Sequence, residues 1–100
     1  MNAAELEALL IGLLRLWSIE ATVAVTRQGE GLTARVDGAE GIVVTVEQIR
    51  QPFGIAWHVQ VDGERRRAYP STIGVIRHLR SVLAPERGAA RVLFAAGSRA

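Results

Sequence analysis

The sequence predicts an α+β fold: a two-layer sandwich with an N-terminal helix, an antiparallel sheet of about five strands, a second helix packed on the same face and a short C-terminal tail. Apolar residues recur at helical spacing near the beginning of the chain and again after residue 70, whereas between these stretches they alternate with polar residues. Glycine-rich breaks of hairpin length separate the alternating runs. We therefore expect one domain over residues 1–100, made of a helix over 1–17, an antiparallel meander over 19–69, a helix over 71–84 and a tail over 85–100.

The composition is that of an ordinary globular domain. Of the 100 residues 49% are hydrophobic, and none is cysteine, so neither a disulfide framework nor a thiolate metal site is possible. No apolar run approaches the roughly 18 residues of a membrane span. Glu5 and Glu7 stand where a signal peptide needs positive charge. We expect a cytoplasmic protein that does not contact a membrane.

The charge is unevenly distributed along the chain. Residues 1–64 hold four arginines and nine acidic residues, a balance of −5, whereas residues 65–100 hold eight arginines and one acidic residue, a balance of +7. The two balances sum to the net charge of +2. A basic C-terminal third indicates an acidic partner, which is an acidic protein surface, nucleic acid or a second copy of the chain. Alternatively, acidic side chains of the earlier strands pair with these arginines within the fold, which would leave no net basic patch.

The first helix is predicted from its cap and its apolar stripe. Asn2 and Glu5 have the spacing of a capping box. The stripe, with Leu14 beside it, consists of Leu6, Leu9, Leu10, Leu13, Leu16 and Trp17. The polar side lacks the basic row of a membrane-surface helix, so we expect this stripe to cover the sheet.

Three alternating runs follow and predict three strands. Their apolar positions are Ile19, Ala21, Val23 and Val25; Leu32, Ala34 and Val36; and Ile42, Val44 and Val46. The stretch from Gly29 to Ala34 matches the dinucleotide-binding pattern G-x-G-x-x-A, but that fingerprint needs a helix after the loop, whereas a strand is predicted here. We expect residues 48–54 to form the longest connection within the sheet, as a bend, a bulge, a sheet edge or a mobile loop.

The next strand alternates Ile55, Trp57, Val59 and Val61 with Ala56, His58 and Gln60. Asp62-Gly63 predicts a type I′ turn and a return strand over residues 64–69. A two-residue loop, which we favour, places Arg65 and Arg67 beside Gln60 and His58. A three-residue loop instead pairs Trp57 with Tyr69, and this slip exchanges the two faces of the strand.

The second helix begins after Pro70, with Ser71 as N-cap, and ends at Pro85. Its apolar face comprises Val75, Ile76, Leu79, Val82 and Leu83, with Ile73 at the edge. Arg77 and Arg80 lie together on another face. The free N–H groups near Ser71 and Thr72 favour an anion, and the arginine strand leads into this end of the helix. In the tail, Val92 to Phe94 forms an apolar patch that fits a sixth strand, a helical turn or a docked segment.

The order of helix, strands and helix resembles that of frataxin-like domains. The resemblance concerns topology alone, because the first helix has no acidic residue beyond Glu5 and Glu7. It therefore implies the sandwich and no function.

The candidate binding residues are Arg65, Arg66, Arg67, Arg77, Arg80, Ser71, Thr72 and His58. We expect a small non-catalytic protein-interaction or adaptor module whose arginine hairpin and adjoining helix bind an acidic protein surface or mediate self-association. The alternative is a domain that binds nucleic acid through the phosphate backbone. A third hypothesis is binding of a small anion or phosphometabolite at the start of the second helix. An RNA-recognition-type sheet is disfavoured because both tryptophans fall on apolar faces.

No catalytic residue, metal site or cofactor is predicted. His58 and His78 lie 20 residues apart on different elements, which does not indicate a metal site. Ser71, His58 and Asp62 have the residue types of a catalytic triad, but no nucleophile elbow surrounds the serine.

Overall fold

The computed structural model describes residues 1–38 and 41–85. In chain order the elements are α1 (Ala3–Leu16), β1 (Ala21–Gln28), β2 (Gly31–Gly38), β3 (Val43–Gln51), β4 (Gly54–Val61), β5 (Arg67–Tyr69) and α2 (Thr72–Leu83). The strands form one antiparallel sheet in the order β1-β2-β3-β4-β5. Both helices contribute to the same core on one face of this sheet, which confirms the predicted α+β sandwich. The apolar patch in the predicted tail lies outside the described residues.

The N-terminus of α1 has the predicted capping box. The Asn2 side-chain oxygen accepts a hydrogen bond from the Glu5 N–H at 2.8 Å, and the Asn2 N–H donates to the Glu5 carboxylate at 3.1 Å. These two bonds satisfy backbone donors that a helix start leaves without intrahelical partners. The cap therefore fixes where α1 begins.

The buried stripe of α1 differs from the prediction at its C-terminal end. Leu6, Leu10 and Leu14 are buried, as is Trp17. Leu16, which the helical spacing predicts on the stripe, is 58% exposed. Residues four apart lie one above the other on a helix, so a face that contains Leu6 and Leu10 continues through Leu14 and turns Leu16 to solvent.

The strands alternate as predicted, with one face in the core. The buried strand residues beneath the helices are Leu32, Ala34, Val36, Val44, Val46, Trp57, Val59 and Val61. β1 begins at Ala21 rather than at residue 19, because Ser18 adopts a left-handed conformation with φ of 54° and the chain turns there. The opposite face carries mostly threonine, charged and amide side chains, and in the described residues no helix covers it.

The connection predicted over residues 48–54 is wrong. β3 continues to Gln51, β4 begins at Gly54, and these two residues pair across a turn made only of Pro52 and Phe53. Gln48 explains the error. This polar residue occupies a core-facing position opposite Trp57 and is only 6% exposed, so the apolar alternation is interrupted while the strand continues.

The favoured two-residue hairpin at Asp62-Gly63 is also wrong. Tyr69 pairs with Trp57, and Arg67 pairs with Val59, which is the register of the three-residue alternative. The Glu64 N–H donates to the Val61 carbonyl at 2.9 Å, and of the two turn residues only Gly63 has a positive φ, whereas a type I′ turn needs two. The return strand is limited to Arg67–Tyr69.

Packing against α2 accounts for this register. With Tyr69 opposite Trp57, its ring faces the helix layer and lies against Gly74, where an added Cβ would be 2.8 Å from Tyr69 Cδ1. In the two-residue register Tyr69 would lie on the other face of the sheet, away from this contact. Tertiary packing therefore overrides the local turn preference.

α2 begins and ends as predicted. The Ser71 hydroxyl accepts a hydrogen bond from the Gly74 N–H at 3.4 Å, and the Ala84 N–H donates to the Arg80 carbonyl at 2.9 Å. Val75 and Leu79 are buried, and Ile73 at the edge of the apolar face is 62% exposed. The helix is thereby fixed on the sheet by its central turns.

Candidate functional site

The three consecutive arginines are divided between the two faces of the sheet. Arg67 lies opposite Val59 and so belongs to the helix-covered face. Arg66 belongs to the opposite face, where its guanidinium lies 3.4 Å from the carboxylate of Glu47. The prediction that Arg67 shares the open face with His58 is therefore wrong. Arg65 is exposed and precedes β5.

Arg67 lies on the same face of β5 as Tyr69, whose hydroxyl is hydrogen-bonded to His78. The Tyr69 hydroxyl and His78 Nδ1 are 2.7 Å apart, and the ring centroids are 5.5 Å apart. Partial burial lowers the pKa of His78, and the positive charge of Arg67 lowers it further. The neutral imidazole is thus favoured beside the arginine.

We call the segment from Arg65 to Arg80 the basic edge, because it comprises edge strand β5 and most of α2. It contains five arginines and no acidic residue. Among the described residues, Arg66 alone of these five has a carboxylate within 4.0 Å. Within residues 1–38 and 41–85, ion pairing with the acidic strands therefore reaches Arg66 alone of the five, and Arg65, Arg67 and Arg77 are exposed.

The first turn of α2 itself carries none of the five arginines. Ser71 caps that turn and Thr72 is half-buried within it. Arg67 lies in β5, four residues before Ser71. It influences His78, in the middle of the helix. An anion site at Ser71 and Thr72 therefore stays a prediction.

The residues that resemble a triad lie apart. His58 is on the open face, opposite Glu47 and Ala68, and its buried Nδ1 has no hydrogen-bond partner among the described residues. Asp62 is in the turn after β4, and Ser71 caps α2. Within residues 1–38 and 41–85, no group of three histidine or acidic side chains is arranged to hold a metal ion.

A cleft that sequence reasoning missed opens at the N-terminus of α1. Its volume is about 530 Å³, and it lies between the first turn of α1 and the facing ends of β1 to β4. Arg27, Gln48 and Arg50 line it. The register places all three on the helix-covered face, since Arg27 and Gln48 both pair with Leu32, and Arg50 pairs with Ile55. The available signal was three polar residues at core-facing positions near one end of the sheet.

Comparisons of this chain with protein-family models, with curated proteins and with solved structures found no match. Across the part of the chain that the structure describes, no helix has the length and apolarity that crossing a bilayer demands.

Proposed function

We propose that this chain is a small non-catalytic interaction module that binds an acidic protein surface through the basic edge. One observation carries the proposal: five arginines occur from residue 65 to residue 85 without an acidic residue, and Arg66 alone of these five has a carboxylate partner among the described residues. Arginine presents a planar set of donors that matches a carboxylate in a two-point contact. A partner that carries aspartate or glutamate would supply the missing counter-charges.

The chemistry of α2 favours a protein over a phosphate backbone. Ile73 and Arg77 are four residues apart and therefore neighbours on the helix surface. Ile73 is 62% exposed, so an apolar group lies beside the cation. A protein surface offers apolar and acidic groups together, whereas a phosphate backbone offers charge alone. Moreover, both tryptophans are buried in the core, so neither is available to stack on bases.

The test is fluorescence anisotropy with a labelled polyglutamate peptide and with labelled single- and double-stranded oligonucleotides, at roughly 50 and 200 mM salt. The variant Arg67→Glu/Arg77→Glu reverses two charges on the basic edge. Arg15→Glu/Arg35→Glu makes the same charge change at two exposed positions outside the basic edge and outside the cleft at α1, and is the matched control. Circular dichroism checks that each variant is folded.

We expect the wild type and the control variant to bind the peptide and the basic-edge variant to lose this binding. Equal losses in both variants would mean that only net charge matters, and the basic edge would not be the site. Tighter, steeply salt-dependent binding of an oligonucleotide would replace the proposal with the nucleic-acid alternative. Absence of peptide binding at the lower salt would reject the proposal.

The cytoplasmic location predicted from the sequence is part of the same proposal. It is supported by a composition without cysteine, which is compatible with a reducing compartment. Fractionation of cells that produce the tagged chain tests it, and recovery in a secreted or membrane fraction would contradict it.

A further inference from the structure

Strand β1 has one edge without a backbone partner. It lies at the end of the sheet, and each of its residues pairs with β2 alone among the described residues. Gln28 and Gly31 close a two-residue hairpin, so they are hydrogen-bonded to each other, and such pairs recur at every second residue. The N–H and C=O groups at positions 21, 23, 25 and 27 therefore point away from β2. No other described residue bonds to them.

β1 lacks the proline, the lysine, the bulge and the short length by which edge strands usually avoid pairing with another chain. It is 8 residues long, its pairing with β2 is continuous, and Arg27 is its single charged residue. The other edge strand, β5, is 3 residues long, begins at Arg67 and is followed by Pro70. The unprotected edge of β1 therefore indicates that a further strand pairs with it.

The sequence of β1 is complementary to itself. Residues 22–26 read Thr-Val-Ala-Val-Thr, which is the same in both directions. Two such strands can pair antiparallel around a two-fold axis at Ala24. Thr22 then faces Thr26 of the partner subunit, and Val23 faces Val25 of the partner subunit. Pairs of threonines and pairs of β-branched apolar residues are both favourable across strands.

The same alignment joins the free backbone groups. Odd-numbered positions face odd-numbered positions, so the outward-pointing N–H and C=O groups of the two strands bond to each other. Arg27 faces Ala21 of the partner subunit, so no two like charges lie opposite each other. Neither the backbone nor the charges therefore oppose this pairing.

The helix layer leaves this edge open. Val23 and Val25 point into the core layer but are only half-buried, whereas Val36 and Ala34, which pair with them in β2, are fully buried. A groove of about 560 Å³ lies between α1 and β1, and Ile11 lines it together with Val23. A strand added to β1 would place its own valines beside these half-buried side chains.

We propose that β1 pairs antiparallel with β1 of a second copy of this chain, which joins two five-stranded sheets into one continuous sheet. The partner is a second copy because a closed two-fold dimer needs a surface that is complementary to itself, and residues 22–26 meet that requirement. This inference goes beyond the proposed function, since β1 and β5 are the opposite edges of the sheet. The dimer would carry a basic edge at each end.

The test is sedimentation equilibrium of the whole chain over a wide range of protein concentration, and we expect the wild type to show a monomer–dimer equilibrium. Ala24 is exposed on the open face, so Ala24→Lys should remain folded, which circular dichroism checks. It places two like charges opposite each other at the axis and should raise the dimer Kd at least about fivefold. Ala68→Lys, at an exposed alanine on the same face of β5, is the matched control and should leave the Kd unchanged.

A mixture of Ala24→Lys and Ala24→Glu gives a second readout. Opposite charges then face each other at the axis, so the two variants should associate more tightly with each other than either does with itself. Amide hydrogen exchange gives a third readout. The amides of Val23 and Val25 should exchange more slowly as the wild-type dimer forms, because their N–H groups become hydrogen-bonded.

A wild type that stays monomeric at every concentration would overturn the inference. Equal weakening by Ala24→Lys and Ala68→Lys would also overturn it, because the contact would then not depend on β1. Failure of the mixed variants to associate more tightly than each variant alone would refute the axis at Ala24. A dimer in which the Val23 and Val25 amides exchange as fast as in the monomer would refute the strand pairing.

Discussion

The closeness of the packing between Gly74 and Tyr69 can be tested by replacing glycine with alanine at position 74 and, as a control, at position 12. In Gly74→Ala the new Cβ would lie 2.8 Å from Tyr69 Cδ1 and 3.4 Å from Tyr69 Cβ and Cγ. In Gly12→Ala, on the exposed side of α1, the new Cβ has nothing within 4 Å. Both substitutions replace a glycine within a helix, Gly12 in the interior of α1 and Gly74 in the first turn of α2, so both gain helix propensity and the steric contact is what sets them apart.

The expected magnitudes follow from these geometries. Alanine is better than glycine in a helix interior by about 1 kcal/mol, so Gly12→Ala should stabilise the protein by about that amount. An extra carbon in a packed contact costs about 1 to 3 kcal/mol, so Gly74→Ala should be neutral to destabilising by about 2 kcal/mol. For a domain of this size 1 kcal/mol corresponds to about 4 to 8 °C, so the two variants should melt at least about 4 °C apart.

The assay is thermal unfolding followed by circular dichroism, repeated in a Tyr69→Ala background. Without the ring, Gly74→Ala should become stabilising, and the coupling energy of the cycle should equal the steric cost. If Gly74→Ala raises the melting temperature of the wild type as much as Gly12→Ala does, the close packing of Tyr69 on α2 is refuted. The explanation of the hairpin register would be refuted with it.

Three further predictions concern α1 and the surroundings of Arg67. Leu14→Ala should destabilise the protein by about 2 to 5 kcal/mol, whereas Leu16→Ala, at an exposed position, should change the free energy of unfolding by less than about 0.5 kcal/mol, as measured by urea denaturation. Arg67→Gln should raise the pKa of His78 in an NMR titration because it removes a cation that lowers it, and Arg66→Gln, on the opposite face, should leave it unchanged; equal effects would contradict the register. Because the pKa of folded His78 lies below its ordinary value of 6.5, the unfolded chain takes up the proton first as the pH falls. This contribution to stability is therefore complete above about pH 6.5 and is lost as the pH falls through the folded pKa, and His78→Asn should abolish that part of the pH dependence measured in urea.

The features that could be predicted from sequence are local ones. The capping box at Asn2 and the cap at Ser71 depend on residues within one helical turn, and both are present. The core-facing positions of β2 follow from period-two alternation alone. The end of β3 could not be predicted, because Gln48 is polar and yet faces the core, and only the sheet register reveals its position.

The candidate sites depend on contacts distant in sequence, which local patterns do not encode. The hairpin at Asp62-Gly63 has two available registers, and the choice between them depends on where Tyr69 packs. The cleft at α1 assembles Arg27, Gln48 and Arg50 from separate strands, so no linear motif marks it. Charge counting identified the basic edge and left internal neutralisation open, but it could not say that the pair would be Arg66 with Glu47.

The three consecutive arginines do not determine the register in which β5 pairs with β4. Because residues 65, 66 and 67 are identical, sliding β5 by one position still presents an arginine to each face of the sheet. Alternative alignments therefore place nearly the same charges on the two faces of the sheet. Tyr69 distinguishes them, because its ring packs against Gly74 in only one alignment. A smaller side chain in place of Tyr69 would allow the chain to populate a second alignment. In that alignment Arg67 would lie on the face that carries Glu47, and Arg66 would lie on the face that α2 covers.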